Sequence, residues 1–219
     1  MNAGTKEPDC ETRARLLDAA GRVFAERGFN GASVRDICKA ARANVAAVNY
    51  HFGGKAGLYS QVVAHWAAVA RQKYPMENIA APRRAPEERL RDFVRTILNR
   101  MLDEERPLWH ARLMAQEMAS PTAAFDGVVK AFYRPTIEHL RQIIREILGR
   151  KANDEKIDRV TFSIMGQCFY YLHARRIIEL MSPEFPRIAK DAGKIAEHII
   201  EFSLPGLRQL ARKKRTTRK

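Results

Sequence analysis

Apolar residues recur along this chain at helical spacing, and polar caps and glycines punctuate them. Leu16, Leu17, Ala20, Val23 and Phe24 fall on one face of a helix predicted from about Glu11 to Arg27, and Gly28 stands where its C-terminal cap belongs. Ser33, with Asp36 three residues on, caps a second helix that turns Val34, Ile37 and Cys38 inward and ends near Ala41. After Arg42 and Ala43, Asn44 caps a short third helix running from Val45 to about His51. Gly53 and Gly54 interrupt the chain. A fourth helix then runs from Lys55 to about Lys73, with Leu58, Tyr59, Val62, Val63 and Trp66 on its apolar face. The stretch from Tyr74 to Pro86 holds three prolines and reads as a loop.

Further helices are predicted at about Glu87–Glu104, Pro107–Met118, Thr122–Leu148, Asp154–Met181 and Pro186–Phe202, with a short one from Pro205. Pro135 should kink or divide the long Thr122–Leu148 helix, because its ring leaves no amide to donate and crowds the preceding turn. No run alternates apolar and polar residues as a strand would, and no internal repeat is visible. The expected fold is all-α, with a three-helix helix-turn-helix head followed by a larger C-terminal helical bundle. The expected division is a flexible 1–10, a head at 11–56, a helical domain at 57–207 and a basic tail at 208–219.

Three short helices joined by tight turns, the last one small and polar on one side, suit insertion into the major groove of DNA. Charge points the same way, since 39 Lys+Arg against 25 Asp+Glu leave a net charge of +14. Half of that excess lies in residues 208–219, which hold seven basic residues and no acid. A tail of this kind binds polyanions without sequence preference, so charge alone does not define the function.

In detail, Phe24-Ala25-Glu26-Arg27-Gly28-Phe29, then Ser33-Val34-Arg35-Asp36-Ile37, then Tyr50-His51-Phe52-Gly53-Gly54-Lys55-Ala56-Gly57-Leu58-Tyr59 resemble the tetracycline-repressor (TetR) family of transcriptional regulators. The resemblance covers about 50 of the 219 residues, roughly Arg13 to Val63. The run from Val45 to Tyr59 looks like the subgroup whose C-terminal half is similar to that of the CecR regulators. Three departures stand out: Arg42 or Ala43 where a Gly is common, Ala47 for a common Thr, and Asn49 for a common Tyr. The first carries a backbone cost, and the other two remove usual phosphate contacts.

The resemblance and the chemistry together assign roles. Asn44 caps the recognition helix, whose free amides suit a phosphate or base edge. Val45, Ala46 and Asn49 face the groove, where Asn pairs with adenine and small apolar groups meet thymine methyls. Tyr50 and His51 reach the sugar-phosphate backbone, and Lys55, Arg35, Lys39 and Arg42 pair with phosphates. The plainer readings are core for Phe52 and Tyr50, and ordinary surface for His51 and Arg35.

In the second half, Asp154–Met181 is apolar on more than one face, as a buried helix is. The resemblance implies that the last long helices form a four-helix bundle across a two-fold axis, giving a homodimer on a palindromic double-stranded operator. It also implies a small-molecule inducer, with Met101, Trp109, Met114, Met118, Phe125, Met165, Phe169 and His173 as candidate pocket residues. Each of these suits an ordinary core equally well. His110, Gln116, Gln167 and Arg176 are polar candidates for orienting such a ligand.

Enzyme chemistry finds no foothold. No H-E-x-x-H, G-x-S-x-G or phosphate-cradling Gly-rich loop occurs, and the six histidines lack ligand spacing. Cys10, Cys38 and Cys168 form no C-x-x-C pair, so reduced thiols are expected, with no metal and no cofactor. A polar N-terminus and the lack of a long apolar run lead to the expectation of a cytoplasmic protein with no membrane partner. A nonspecific RNA-binding or adaptor protein driven by the basic tail is the remaining alternative.

Overall fold

The computed structural model describes residues 6–76, 84–149, 152–185, 188 and 190–212, and among these no strand occurs. Eleven α-helices carry them: α1 (Lys6–Gly31), α2 (Val34–Ala41), α3 (Val45–Phe52), α4 (Lys55–Lys73), α5 (Pro86–Leu102), α6 (Leu108–Ala119), α7 (Ala123–Val128), α8 (Arg134–Leu148), α9 (Asp154–His173), α10 (Arg175–Met181) and α11 (Ala192–Arg212). The all-α expectation is met. Residues 1–5 and 213–219, and with them most of the expected basic tail, lie outside the described residues.

Local signals placed most helix ends correctly. Gly28 breaks α1 with φ 69° and ψ 173°. Of the two expectations about proline, the division near Pro135 is met and the new helix at Pro205 needs correction. The helix expected from Thr122 to Leu148 is α7 and α8 joined by a π-helical turn at Val129–Tyr133. Pro135 follows that wider turn, which relieves the crowding an α-turn would impose on its ring. Conversely, Pro205 starts no new helix; it lies inside α11, which begins at Ala192. Ile199, Ile200, Leu204 and Leu207 are buried on both sides of it. Burying each stabilises by about 1.5–3 kcal/mol, which together outweighs the roughly 3 kcal/mol that an interior proline costs.

The chain forms two compact units that do not follow its linear order. One comprises Met1–Val69 and Glu105–Tyr133; the other comprises Ala70–Glu104 and Arg134–Lys219. The cores therefore divide the chain differently from a boundary at residue 56. In the first unit, Leu16, Phe24, Ile37, Val48, Leu58, Tyr59, Val62 and Val63 share a core with Leu113 and Val128. In the second, α5 packs against α8 and α11 around Leu90, Phe93, Leu98, Leu140, Ile143, Ile195 and Ile199. Cys38 and Cys168 are buried free thiols, and burial pushes the Cys168 thiol up to about 12.

One buried group of the first unit makes stability depend on pH. The His110 imidazole on α6 is 5% exposed. Burial first, then Arg106 and His65, push its pKa down from 6.5 to about 3. The unfolded chain therefore binds a proton that the folded chain refuses. This contribution is complete above about pH 6.5 and is lost as pH falls toward 3. At pH 5 the single group should cost about 2 kcal/mol relative to pH 7. His65 and His139 are shifted in the same direction, mainly by burial, and add slope of the same sign. Melting curves of His110→Phe between pH 7 and 5 should be distinctly flatter than those of the parent; equal slopes would refute the assignment.

Candidate nucleic-acid interface

The head is built from caps. Ser33 Oγ accepts the Asp36 amide at 3.1 Å and donates to its carboxylate at 2.8 Å, and Arg27 adds an ion pair to the same carboxylate at 2.8 Å. At the other end of α2, Arg42 takes the left-handed conformation (φ 50°, ψ 48°). The Ala43 amide donates to the Cys38 carbonyl at 2.9 Å and the Arg42 amide to Lys39 at 3.3 Å, closing a Schellman turn that glycine usually occupies. Arg42 is the one non-glycine residue with positive φ among the described residues.

This strain has a measurable consequence. Holding an arginine in that conformation costs about 1 kcal/mol relative to glycine, partly offset by the greater freedom of glycine in the unfolded chain. Arg42→Gly should therefore raise Tm by about 1–4 °C, while weakening DNA binding if the guanidinium meets a phosphate. A lower Tm would show that the side chain contributes more than the turn costs.

Helix α3 is short and two-faced. Asn44 caps it, its Oδ1 accepting from the Ala46 amide at 3.0 Å, and Gly53 ends it with φ 70°. Val48 and Phe52 are buried beneath it, so Phe52 is core as expected. Asn44, Val45, Ala46, Asn49 and Tyr50 are exposed on the opposite side, and Tyr50, at 78% exposure, is not core. Arg35, Lys39 and Arg42 are exposed on or just after α2. The structure thus leaves the three groove candidates, Val45, Ala46 and Asn49, exposed on α3 together with Tyr50, and leaves Arg35, Lys39 and Arg42 exposed on or just after α2.

Two expected phosphate partners are engaged within the protein. The His51 side chain is only 8% exposed, with its Nε2 3.3 Å from an Asp9 carboxylate oxygen. Lys55 lies with its Nζ 4.7 Å from the centre of the Phe29 ring and 3.5 Å from the Asn30 carbonyl oxygen. The first contact arises because α1 begins at Lys6, ahead of its expected start, which places Asp9 on that helix. Arg13 was also passed over; its guanidinium covers Phe52 at 5.6 Å and donates to Gln61 at 3.0 Å, tying α1 to α4.

The candidate ligand residues divide between the two units. Trp109, Met114 and Phe125 pack on the first core, and Met118 is exposed beside them in sequence. Trp109 Nε1 donates to Asp18 at 3.3 Å. Met101, Met165 and Phe169 belong to the second core, where exposed His173 stacks on Phe169. Several polar candidates are already spent: Gln116 donates to the Ala25 carbonyl at 3.0 Å, Gln167 to Ser203 at 3.2 Å, and Arg176 lies 3.8 Å from Glu179. Within the second unit, a groove of about 330 Å³ between α9 and α11 is lined by Val160, Ser163, Ile164, Phe202, Gly206 and Leu207, among others. None of the eight candidates lines it.

No cluster of three or more metal-ligating side chains occurs among the described residues, and no described helix is long and apolar enough to cross a membrane.

Comparison with known proteins matches two family models. Residues 16–62 match the bacterial regulatory proteins of the tetR family, and residues 86–207 match the C-terminal domain of the HTH-type transcriptional dual regulator CecR. CecR of Shigella flexneri is 28% identical over 179 residues, covering 78% of this chain and 79% of that protein. UidR of Escherichia coli K12, an HTH-type transcriptional regulator, is 36% identical over 70 residues, 31% of this chain and 36% of its own. Among solved structures, the TetR-family regulator PfmR of Thermus thermophilus superposes with a TM-score of 0.56 at 20% identity, covering 85% of this chain and 97% of that one. At that identity the likeness concerns the fold.

Proposed function

Because the chain belongs to the TetR family of bacterial transcriptional regulators and carries a CecR-type C-terminal domain, we propose that it is a repressor that binds a palindromic operator as a homodimer and leaves it when a small molecule enters its C-terminal domain. The family consists of DNA-binding regulators, not enzymes, whose members typically respond to small-molecule effectors. The observation that carries the reading is the exposed α3 face of Val45, Ala46, Asn49 and Tyr50, backed by Val48 and Phe52 in the core. In this reading Asn44, Arg35, Arg42, Lys55 and, once freed from Asp9, His51 meet the backbone. Asn49 reads a base.

A two-fold dimer is supported by what α9 and α11 leave uncovered. Phe162 is 59% exposed and Phe202 73%, on the two helices that border the 330 Å³ groove. Large apolar groups left in water on adjacent helices favour a partner surface, and a second copy supplies the same helices in return.

The test is selection from random duplex DNA by the full chain at about 150 mM salt, where nonspecific attraction is screened. The expected product is a palindrome with half-sites about one helical turn, roughly 34–36 Å, apart. Asn49→Ala should then cost about 1–3 kcal/mol and relax preference at one position in each half-site. No enriched sequence, with binding that vanishes when residues 212–219 are deleted, would replace this reading with tail-driven binding.

A further inference from the structure

Glu117 on α6 is a buried carboxylate, 1% exposed, in the core of the first unit. An apolar side chain of its size would fill the same space without the cost of desolvating a charge, so packing does not explain it. Its oxygens are fully engaged. The Tyr59 hydroxyl donates to Oε1. The Thr122 amide donates to Oε2 at 3.0 Å, and the Thr122 hydroxyl lies 2.9 and 3.1 Å from the two oxygens. Thr122 is the N-cap of α7, yet its hydroxyl makes no cap bond to that helix. It is committed to Glu117 instead.

Tyr59, 3% exposed, carries this anchor to α4. Burial first, and then the bond to Glu117, hold its phenol well above the ordinary tyrosine range. Its ring stands edge-on to Phe24 at 4.7 Å and to Phe29 at 4.9 Å, and Phe29 in turn lies under Lys55 at the start of α4. Between Lys55 and Tyr59, Gly57 is pressed so close to the end of α3 that a Cβ on it would meet the Phe52 carbonyl oxygen. Whatever fixes Tyr59 therefore fixes the turn of α4 on which the end of α3 rests.

We propose that Glu117 is a positioning residue for DNA binding: through Tyr59 it holds the first turns of α4 and so sets how α3 presents Val45, Ala46 and Asn49. The α6–α7 turn then controls the head from a place remote from the DNA-facing side chains. Withdrawing Glu117 by substitution loosens α3. The inference rests on the DNA-binding reading above.

The experiment compares full-length Glu117→Gln, Tyr59→Phe and the double variant with the parent chain. The readouts are affinity for the duplex that the parent selects, hydrogen exchange of the α3 amides, and sedimentation. Each single variant, folded by circular dichroism at 25 °C, should lose ten-fold or more in affinity with its oligomeric state unchanged. The amides of residues 48–52 should exchange faster, and the double variant should be no weaker than the worse single one. Full affinity and unchanged α3 exchange in Tyr59→Phe, with only a lower Tm, would overturn the proposal and leave Glu117 a stabilising group. Tyr59→Phe removes one hydroxyl, so it decides the matter even if Glu117→Gln does not fold. A parent chain that selects no duplex overturns the DNA-binding reading too, and does so before any variant is made.

Discussion

Gly57→Ala should destroy DNA binding and lower Tm by about 6–12 °C. A Cβ built on Gly57 lies 1.8 Å from the Phe52 carbonyl oxygen and 3.0 Å from its carbon. The obstacle is backbone at the C-terminal end of α3, so no side-chain rotation relieves it. Either α4 or the end of α3 must move by more than 1 Å, and Val48 and Phe52 leave the core with it. Overpacking of this kind costs about 1–3 kcal/mol, and a backbone obstacle lies at the upper end. For a chain of this length that corresponds to the stated fall in Tm at about 2–4 °C per kcal/mol. Gly127→Ala in α7 is the control, since nothing lies within 4 Å of its added methyl. Thermal melts and duplex titrations at 25 °C check both. A Gly57→Ala chain with the parent's melting point and affinity would show that the α3–α4 junction is looser than its geometry.

Phe202→Glu should leave each chain folded and turn a dimer into a monomer. The side chain is 73% exposed on α11, so substitution disturbs no intramolecular core. Under the proposed two-fold pairing the same change occurs twice, and two carboxylates meet where two rings had packed. Monomers then lose the advantage of engaging both half-sites together, which is worth about 10²–10⁴-fold in affinity. Sedimentation at micromolar concentration and operator titration should show both losses together. A dimer of undiminished operator affinity would remove α11 from the proposed interface.

The head was legible almost residue by residue because its signals are local. Ser33 and Asn44 satisfy amides two or three residues away, and Gly53 supplies the positive φ that ends α3. The strain at the α2–α3 turn was legible as well, since Arg42 stands where a glycine conformation is needed, and its φ is 50°. Phe52 was legible as core, and the exposed face of α3 lies opposite it and Val48. Less visible were contacts made at long sequence separation. Asp9 engages His51, Gln116 is spent on Ala25, and Glu117 reaches back to Tyr59. In each case a polar residue on an otherwise ordinary helix carries no mark of its partner.

Proline rules failed where packing outweighed them, as in α11, whose aliphatic face continues across Pro205. The expected ligand set split because methionine and aromatic residues look the same in a core as in a pocket. Met165 is buried in one unit, whereas Trp109 lies against Gly21 in the other.

By itself, then, the order of residues determined the all-α class, most of the helices of the head and their caps, and the family to which the head is similar. All of these arise from interactions within about one helical turn. Only the tertiary structure decided that Glu105–Tyr133 joins the core built on the first 69 residues, that Glu117 is buried, and that His51 and Lys55 are held by other parts of the protein. Those outcomes depend on which apolar faces meet after the chain has turned back on itself, and a hydrophobic face specifies burial without specifying its partner.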